Sequence, residues 1–591
     1  MATTVVPPET SGSTDAGSSA VRPAVPRRSR WERVREEVLR PRTLVAIAVT
    51  VVVGYLALVP LGYLLWTTFT DENGLSLGGF SRAYGGDSRI ASLVGNSVWF
   101  AVGAAVLSLA VGTALAYFNV RTDVPFKGLF FAASIIPLII PGILYTIAWI
   151  FLASPEIGLI NNALEPIFGP GTFDIFTVWG MIWVEGLHLS PIAFLFMVAA
   201  FRSTDPSLEE SALMSGATRV QTFRRVTLPL VRPALVSATL IMVVRSLESF
   251  EVPALLGLQN GIYVFTSRIY QVLRSFPTDF AGAGALAVGL LAVAALGIFV
   301  SNRLSAGHAG GTITGKGFRP RPIDLGRWKP VVGAGILLYF FVTVLAPLIV
   351  LIYTALLPYY RTPSVEAFKS MNFDNFTAVF HLPTVPTALV NSLVLGAGSA
   401  TIVMALMAVA AWVVVRSGLP GRQILDQLAF APLVIPGLVL GVGIAFVYLR
   451  SPLPIYGTIF ILLIAYCTRY LPYGMRYAVS GMQTISAELE ESAQVSGAGW
   501  WSTFRRVLLP LIAPGLLAGW VYIFVVSFRE LSSSILLYTP GNEVLSISIF
   551  ELYANARFGE LSALGVIMVL VLALMVGIAY KVGARVGLKS D

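Results

Sequence analysis

Charge is what this sequence has least of. Only 12% of its 591 residues are Asp, Glu, Lys or Arg, about half of what a soluble chain carries, while 56% are hydrophobic and the mean hydropathy is +0.78. That excludes a water-soluble globular protein and points to a polytopic membrane protein. Cysteine is nearly missing as well. A single residue, Cys467, leaves no partner for an internal disulfide and cannot build a cysteine-based zinc centre. The charge that is present sums to +9. In a soluble chain that surplus suggests nucleic acid. Here the basic residues fall mostly on one side of the expected membrane, where they serve to orient a chain in a lipid bilayer, so no nucleic acid is expected.

Taken in order, residues 1–30 are rich in Thr, Ser, Pro, Gly and Ala, and 1–42 reads as a disordered basic cytosolic tail. Arg27-Arg28 is a twin arginine, but the apolar run after Thr43 is too long for a signal peptide. Spans are expected near 43–69, 91–118, 128–153, 175–200, 234–256 and 281–302, then a polar cytosolic linker at 303–329. A second set follows near 330–357, 388–415, 425–449, 456–480, 514–538 and 561–583, with a short tail at 584–591. With the N-terminus inside, about 28 of the 40 Lys and Arg lie in cytosolic segments and about 8 in outer loops. The expectation is an all-α integral membrane protein of twelve transmembrane helices with both termini cytoplasmic.

The two sets are repeats. Asn96-Ser97 matches Asn391-Ser392, Arg121 matches Arg416, and Pro137-x-x-x-Pro141-Gly142 matches Pro432-x-x-x-Pro436-Gly437, all offset by 295. Further on the offset is 281. Residues 209–235 and 490–516 then align without a gap, with 17 identities in 27 positions. The 14 residues lost between the two offsets (295 − 281) are placed most simply in Ser154–Asp174, which has no Lys or Arg. The aligned stretch reads Glu209-Glu210-Ser211-Ala212, Gly216-Ala217, then Thr222-Phe223-Arg224-Arg225-Val226 and Leu228-Pro229-Leu230; its copy begins Glu490-Glu491-Ser492-Ala493, Gly497-Ala498. Asp205 and Ser486 stand where N-caps belong, with Pro206 at a first helical position. Gly216 and Gly497 stand where a short helix turns. Each copy is expected to be a helix of about ten residues, a Gly turn, and a second basic helix ending at Leu-Pro.

This pattern resembles the "EAA" loop of ATP-binding-cassette (ABC) importer permeases, with Ser211 and Ser492 in place of its middle Ala. The resemblance implies two parallel six-helix repeats with the type I importer fold of methionine and maltose permeases. It implies a first half at 43–302 with a coupling loop at 203–233, and a second at 330–583 with a coupling loop at 484–514. In the family this loop docks on a partner ATPase. Glu209, Glu210, Ser211, Ala212, Gly216, Ala217, Glu490, Glu491, Ser492, Ala493, Gly497 and Ala498 are therefore the expected ATPase-coupling residues. The expected partners are two copies of the ATPase and an extracytoplasmic substrate-binding protein. ATP and magnesium would sit on the ATPase, with no cofactor and no catalytic residue on this chain. Phe528-Arg529-Glu530-Leu531-Ser532, Leu537-Tyr538-Thr539-Pro540-Gly541 and Gly559-Glu560-Leu561-Ser562 resemble the ferric-iron branch. Branches for thiamine, polyamines or aminoethylphosphonate share much of the pattern.

The remaining candidates are weighed against plainer readings. Gly310-Gly311-Thr312-Ile313-Thr314-Gly315-Lys316 fits most of a phosphate loop, but Gly317 stands where Ser or Thr must hold magnesium, so the nucleotide belongs on a separate chain. Glu185 and His188, three apart in one span, have no second Glu-x-x-His to complete a metal site and read as a pore-facing polar pair. Arg245, Glu248 and Glu251 in one span face Arg529 and Glu530 in its equivalent, while Arg469 replaces His188 in the second half. Charges inside a span cost about 2.5–3.5 kcal/mol each, so these eight are expected to line a translocation path or gate, or else to pair and fix packing. Glu248 and Arg529 are equivalent and are expected to pair across the pseudo-two-fold axis. An ion-coupled secondary transporter also has twelve spans in two halves, but needs no duplicated loop.

Overall fold

A long apolar segment in hydrocarbon can satisfy its backbone within itself only by coiling into a helix. The computed structural model describes residues 40–72, 74–85, 89–205, 207–306 and 322–585. The phosphate-loop-like segment, most of both tails and Pro206 lie outside them. From Val49 onward the chain forms one unit. Among the described residues, nine helices are long and apolar enough to cross a membrane, and up to eleven spans result when each of two bent pairs counts as one. The remaining expected span is the 25-residue helix Ile459–Gln483. It is long enough, at about 37 Å, but Arg469 and Arg476 lower its apolar content. Arg469 is half-buried where the helix packs between Thr384–Val415 and Leu509–Phe528, while the exposed Arg476 lies 4.8 Å over the Phe430 ring.

The two bent pairs correct the sequence reading. Segments 128–153 and 425–449, expected as continuous spans, are Lys127–Ile139 with Gly142–Ala153, bent by 97°, and Arg422–Val434 with Gly437–Leu449, bent by 107°. Pro141 and Pro436 cause the break. Neither offers an N–H to the preceding turn, and each drives the residue before it into extended backbone, Ile140 at ψ 121° and Ile435 at ψ 113°. Each second piece, 12 or 13 residues long, covers only about 18–20 Å, short of a bilayer core of about 30 Å.

The halves interlock. Ile336, from the first helix of the second half, is buried in the core of the first half with Phe130, Phe194, Phe201 and Val231, and nearby Tyr339 shares a 2.9 Å hydroxyl bond with Ser190. In return, Tyr55 in Pro41–Phe69 meets the Tyr448 hydroxyl at 3.1 Å. The 14-residue surplus does form a local structure, the helix Leu159–Phe168. It is stitched by the buried Asn161, whose amide bonds to the Ala153, Ser154 and Phe173 carbonyls and to the Phe173 N–H.

The linker's end is fastened to the first half. Ile323 makes a parallel bridge with Thr122, exchanging bonds with the Arg121 carbonyl and the Asp123 N–H, and Lys329 Nζ reaches Asp123 at 2.5 Å and Asp324 at 3.1 Å. Lys329 and the Leu325 N–H hold the Asp123 carboxyl down to about 2. Its folded value lies below the ordinary one of about 3.9, so its contribution is full above that ordinary value and is lost as pH falls through about 2. Asp123→Ala is expected to speed tryptic cleavage after the exposed Arg327 several-fold, measured by gel densitometry. Equal rates would show that the ion pairs do not hold the linker.

Candidate functional site

The duplicated loop has the same geometry twice. In the first copy, Asp205 Oδ1 accepts from the Ser207 N–H at 2.9 Å, ahead of the helix Ser207–Met214. In the second, the Ser486 hydroxyl caps Ala487–Val495. Gly216 and Gly497 both sit at φ +85°, a conformation that costs other residues about 1–2 kcal/mol. The chain then enters Arg219–Thr222 and Trp500–Thr503. Contrary to expectation these helices do not stop at Leu-Pro. Each passes through a wide π turn, Phe223–Thr227 or Phe504–Leu508, and continues into a span, Arg219–Glu248 or Trp500–Phe528. The π turn departs from the usual ladder just where Pro229 and Pro510 have no N–H to give.

Which way each loop residue faces was not legible in the sequence. Glu210, Ser211, Glu491, Ser492, Gly216 and Gly497 are exposed, and Ala212, Ala217, Ala493 and Ala498 are half-buried. Glu209 points inward. It is buried, accepts from the Thr227 hydroxyl at 2.9 Å and lies 3.6 Å from Arg121 Nε. Glu490, half-buried, accepts from the Trp412 indole at 3.2 Å. Large apolar residues that the sequence reading passed over stand exposed at equivalent places: Leu208 and Leu489, Val220 and Trp501, and Met214 and Val495, the last pair each 90% exposed. An apolar triad is thus carried outward twice by an otherwise polar loop.

The intramembrane charges gather where the halves meet. Glu248 pairs with Arg245 at 3.6 Å, and Arg245 also donates to the Tyr473 hydroxyl of the other half at 2.8 Å. Arg529 donates to the Leu138 carbonyl at 2.6 Å, in the turn before the first break. Glu248 and Arg529 thus do not pair with each other. Each has a nearer partner, Glu248 one helical turn back and Arg529 the Leu138 carbonyl. Arg469 sits 3.3 Å from Glu530, whose carboxylate also accepts from Tyr470 at 2.9 Å and from the Ser533 N–H and hydroxyl at 3.0 Å. Glu185 accepts from the Ser249 hydroxyl at 2.8 Å, and no ion pair joins Glu185 or Glu251 among the described residues. His188 and Arg469 occupy equivalent places against Gly142 and Gly437, the first residues after the breaks. A Cβ on Gly437 would fall 1.6 Å from Arg469 Nη1. Among the described residues no three His, Cys, Asp or Glu side chains converge as metal ligands.

At the end away from the loops the halves are closed on each other. Arg274 donates to the Tyr538 hydroxyl at 2.9 Å and lies over the Tyr270 and Tyr538 rings. Gln259 donates to the Tyr553 hydroxyl at 2.9 Å, and Phe250, Tyr270 and Phe550 pack together below.

Two interlocked helical repeats, a polar seam between them and the same exposed loop on each define a membrane permease. The chain belongs to the family of binding-protein-dependent transport system inner membrane components, which matches residues 108–305 and 400–585. It is accordingly a multi-pass inner-membrane transport subunit that works with a substrate-binding protein. It is similar to the putative ferric transport system permease protein FbpB 1 of Haemophilus influenzae, 27% identical over 78% of this chain and 72% of that one. It is also similar to the ferric transport system permease protein FbpB of Actinobacillus pleuropneumoniae, 26% identical over 82% and 70%. A putative 2-aminoethylphosphonate transport system permease protein PhnV of Salmonella typhimurium is 27% identical over 29% of this chain and 65% of its own. Among solved structures, a bacterial alginate ABC transporter in complex with alginate pentasaccharide-bound periplasmic protein is similar over 45% of this chain and 99% of that one, at 20% identity and a TM-score of 0.37.

Removing one member of a buried pair leaves the other charge uncompensated, at about 3–5 kcal/mol. Arg469→Met is expected to destabilise the protein against thermal unfolding in detergent by that order, read as a lowered midpoint, and Arg469→Met with Glu530→Gln to recover more than half of the loss. Additive losses would mean that the two groups do not act as a pair.

Proposed function

We propose that the paired loops dock two copies of an ABC ATPase in the cytoplasm and that the chain carries ferric iron inward from an extracytoplasmic binding protein. The observation that carries the docking is the exposed apolar triad, Leu208, Met214 and Val220 with its copy Leu489, Val495 and Trp501, each beside an exposed glutamate, Glu210 or Glu491. A polar loop that turns its apolar residues outward twice is built for a partner with a matching groove. ATP and magnesium belong to that partner. This chain converts closure of the ATPase pair into movement of one half against the other.

Iron is favoured by the relatives named for ferric transport along about four-fifths of the chain. The charge in the seam supports it, with Glu185, Glu248, Glu251 and Glu530 against Arg245, Arg469 and Arg529. Hard cations take oxygen ligands, and one carboxylate is left over. The relative named for aminoethylphosphonate supplies a second reading, in which the arginines meet an anion.

Purification from native membranes in mild detergent tests both levels. An ATPase is expected at two copies per chain, and Gly216→Asp with Gly497→Asp is expected to abolish its retention while the permease still folds. There is open space around both glycines, so the new side chains strain the turn and charge the docking face without clashing inside. Transport in ATP-free vesicles along an ion gradient would overturn the docking and favour a secondary carrier. Radiolabelled Fe³⁺ uptake that requires the chain is expected; uptake of aminoethylphosphonate in its place would establish the second reading.

Outward opening must part Gln259 from Tyr553. With the buried Cys467 the only native thiol, Gln259→Cys and Tyr553→Cys joined by a short cleavable cross-linker should cut uptake at least about tenfold, with recovery on cleavage. Undiminished uptake in the linked protein would place the opening elsewhere.

A further inference from the structure

In each half, the span that ends just before the broken helix holds the coupling loop from the side. Arg121 closes the helix Arg89–Arg121, and Arg416 caps Thr384–Val415. Arg121 Nη2 donates to the Thr204 carbonyl at 3.1 Å and makes a short bond to the Thr204 hydroxyl. Arg416 Nη2 donates to the Met482 carbonyl at 3.3 Å and makes a short bond to the Ile485 carbonyl. Thr204 and Ile485 are equivalent residues, 281 apart (485 − 204), whereas the arginines are 295 apart (416 − 121). Two chain segments with different offsets therefore meet at the same contact in both halves.

The carbonyl in question needs a donor. Thr204 has left the helix Val178–Ser203 for extended backbone, φ −89° and ψ 139°, and precedes the helix Ser207–Met214 by a short turn. An oxygen between two helices belongs to neither ladder. A guanidinium, with several donors in one plane and a charge that is not lost, suits it better than a neutral group.

One turn back, each span adds an aromatic residue, again 295 apart. Tyr117 packs on Phe223 at 5.0 Å between ring centres, and Trp412 on Trp500 at 4.8 Å. The inward glutamate is held by the same turn, Glu209 by Arg121 and Glu490 by Trp412. The last turn of each span thus grips the loop at its entry, at its first helix and at its second.

We propose that Arg121 and Arg416 are positioning residues that lock each coupling helix to its span, so that force on the loop moves the membrane helices. The locking itself stands on these contacts; its use in transport rests on the ATPase reading. Hydrogen exchange of the whole chain in detergent micelles separates the two. In Arg121→Ala and Arg416→Ala, amides of 207–217 and 487–498 are expected to exchange at least about tenfold faster in the affected loop only. Arg416→Lys, which still donates to carbonyls, is expected to restore slow exchange. Arg121→Lys is expected to restore it less, because it must also serve Glu209. In the full complex both Ala variants should lower solute moved per ATP hydrolysed, a ratio that a loss of protein alone does not change. Should an Ala variant not fold, Trp412→Leu leaves both arginines and gives the same exchange readout in the second loop. Unchanged exchange in the folded variants would overturn the proposal. Faster exchange in a chain whose unaltered form binds no ATPase would keep the lock and remove the docking.

Discussion

Breaking a helix in an apolar slab strands backbone groups where no water can reach them, and this protein does so twice at its centre. The breaks at Pro141 and Pro436 free carbonyls and expose the first N–H groups of two half-helices. At the first break the remedy joins the halves, since Arg529 of the second half donates to Leu138 of the first; at the second, Arg469 of the same half sets its guanidinium against Gly437. The charges are there because the backbone is irregular there, and lipid-facing surface could tolerate neither. A seam that is polar, partly paired and built at broken helices is also the one place in such a slab where a hydrated or charged solute can be received.

The same logic explains the differences between the halves. An acid on one helix faces a serine on its neighbour in the first half, Glu185 with Ser249. In the second half the acid has moved across: Glu530 is equivalent to Ser249, and Tyr466 to Glu185. Each half keeps one carboxylate at this crossing but on opposite helices. The first accepts only a hydroxyl hydrogen bond, whereas the second is paired with the Arg469 charge and accepts from Tyr470 and Ser533. A symmetric pair of salt bridges would offer a solute nothing unpaired. The asymmetry leaves Glu185 and Glu251 without a cation of their own.

Much of this was legible in sequence where the signal is local. Gly216 and Gly497 adopt the positive φ that their places after short helices demand, and Asp205 and Ser486 cap as their types suggest. The matched Pro-x-x-x-Pro-Gly was visible as a repeat, but apolarity alone does not distinguish a straight span from one bent by about 100°. Pro141 and Pro436 make the break, and tertiary packing that accepts a stranded carbonyl, as Arg529 does for Leu138, lets the chain bend there. The inward turn of Glu209 was hidden for a similar reason. Two adjacent glutamates on a short helix point about 100° apart, and only the position of Arg121, far away in sequence, decides which is buried. Helix Ile459–Gln483 shows the converse limit. Its arginines make it look marginal by composition, yet burial between two neighbours supplies what composition lacks.

Mechanical coupling asks for stiffness along one route and weakness across another. The stiff route runs from each loop into two helices: through the π turn into the span that follows, and sideways through Arg121 or Arg416 into the span before. It is made of continuous helix, charge-assisted bonds and stacked rings. The weak route lies across the seam, where Arg245 with Tyr473, Arg529 with Leu138, Gln259 with Tyr553 and Arg274 with Tyr538 are polar, beside an aromatic contact of Phe250 and Tyr270 with Phe550. Polar contacts of this kind hold in a dry seam and exchange for water in a wet one, at little net difference. Apolar interlocking does not exchange so readily, and away from the seam it lies where Ile336 reaches into the core of the opposite half. The halves can therefore part along the seam without coming apart. On the proposed docking, in which force reaches the chain through its two loops, transport requires that division of strong and weak contacts.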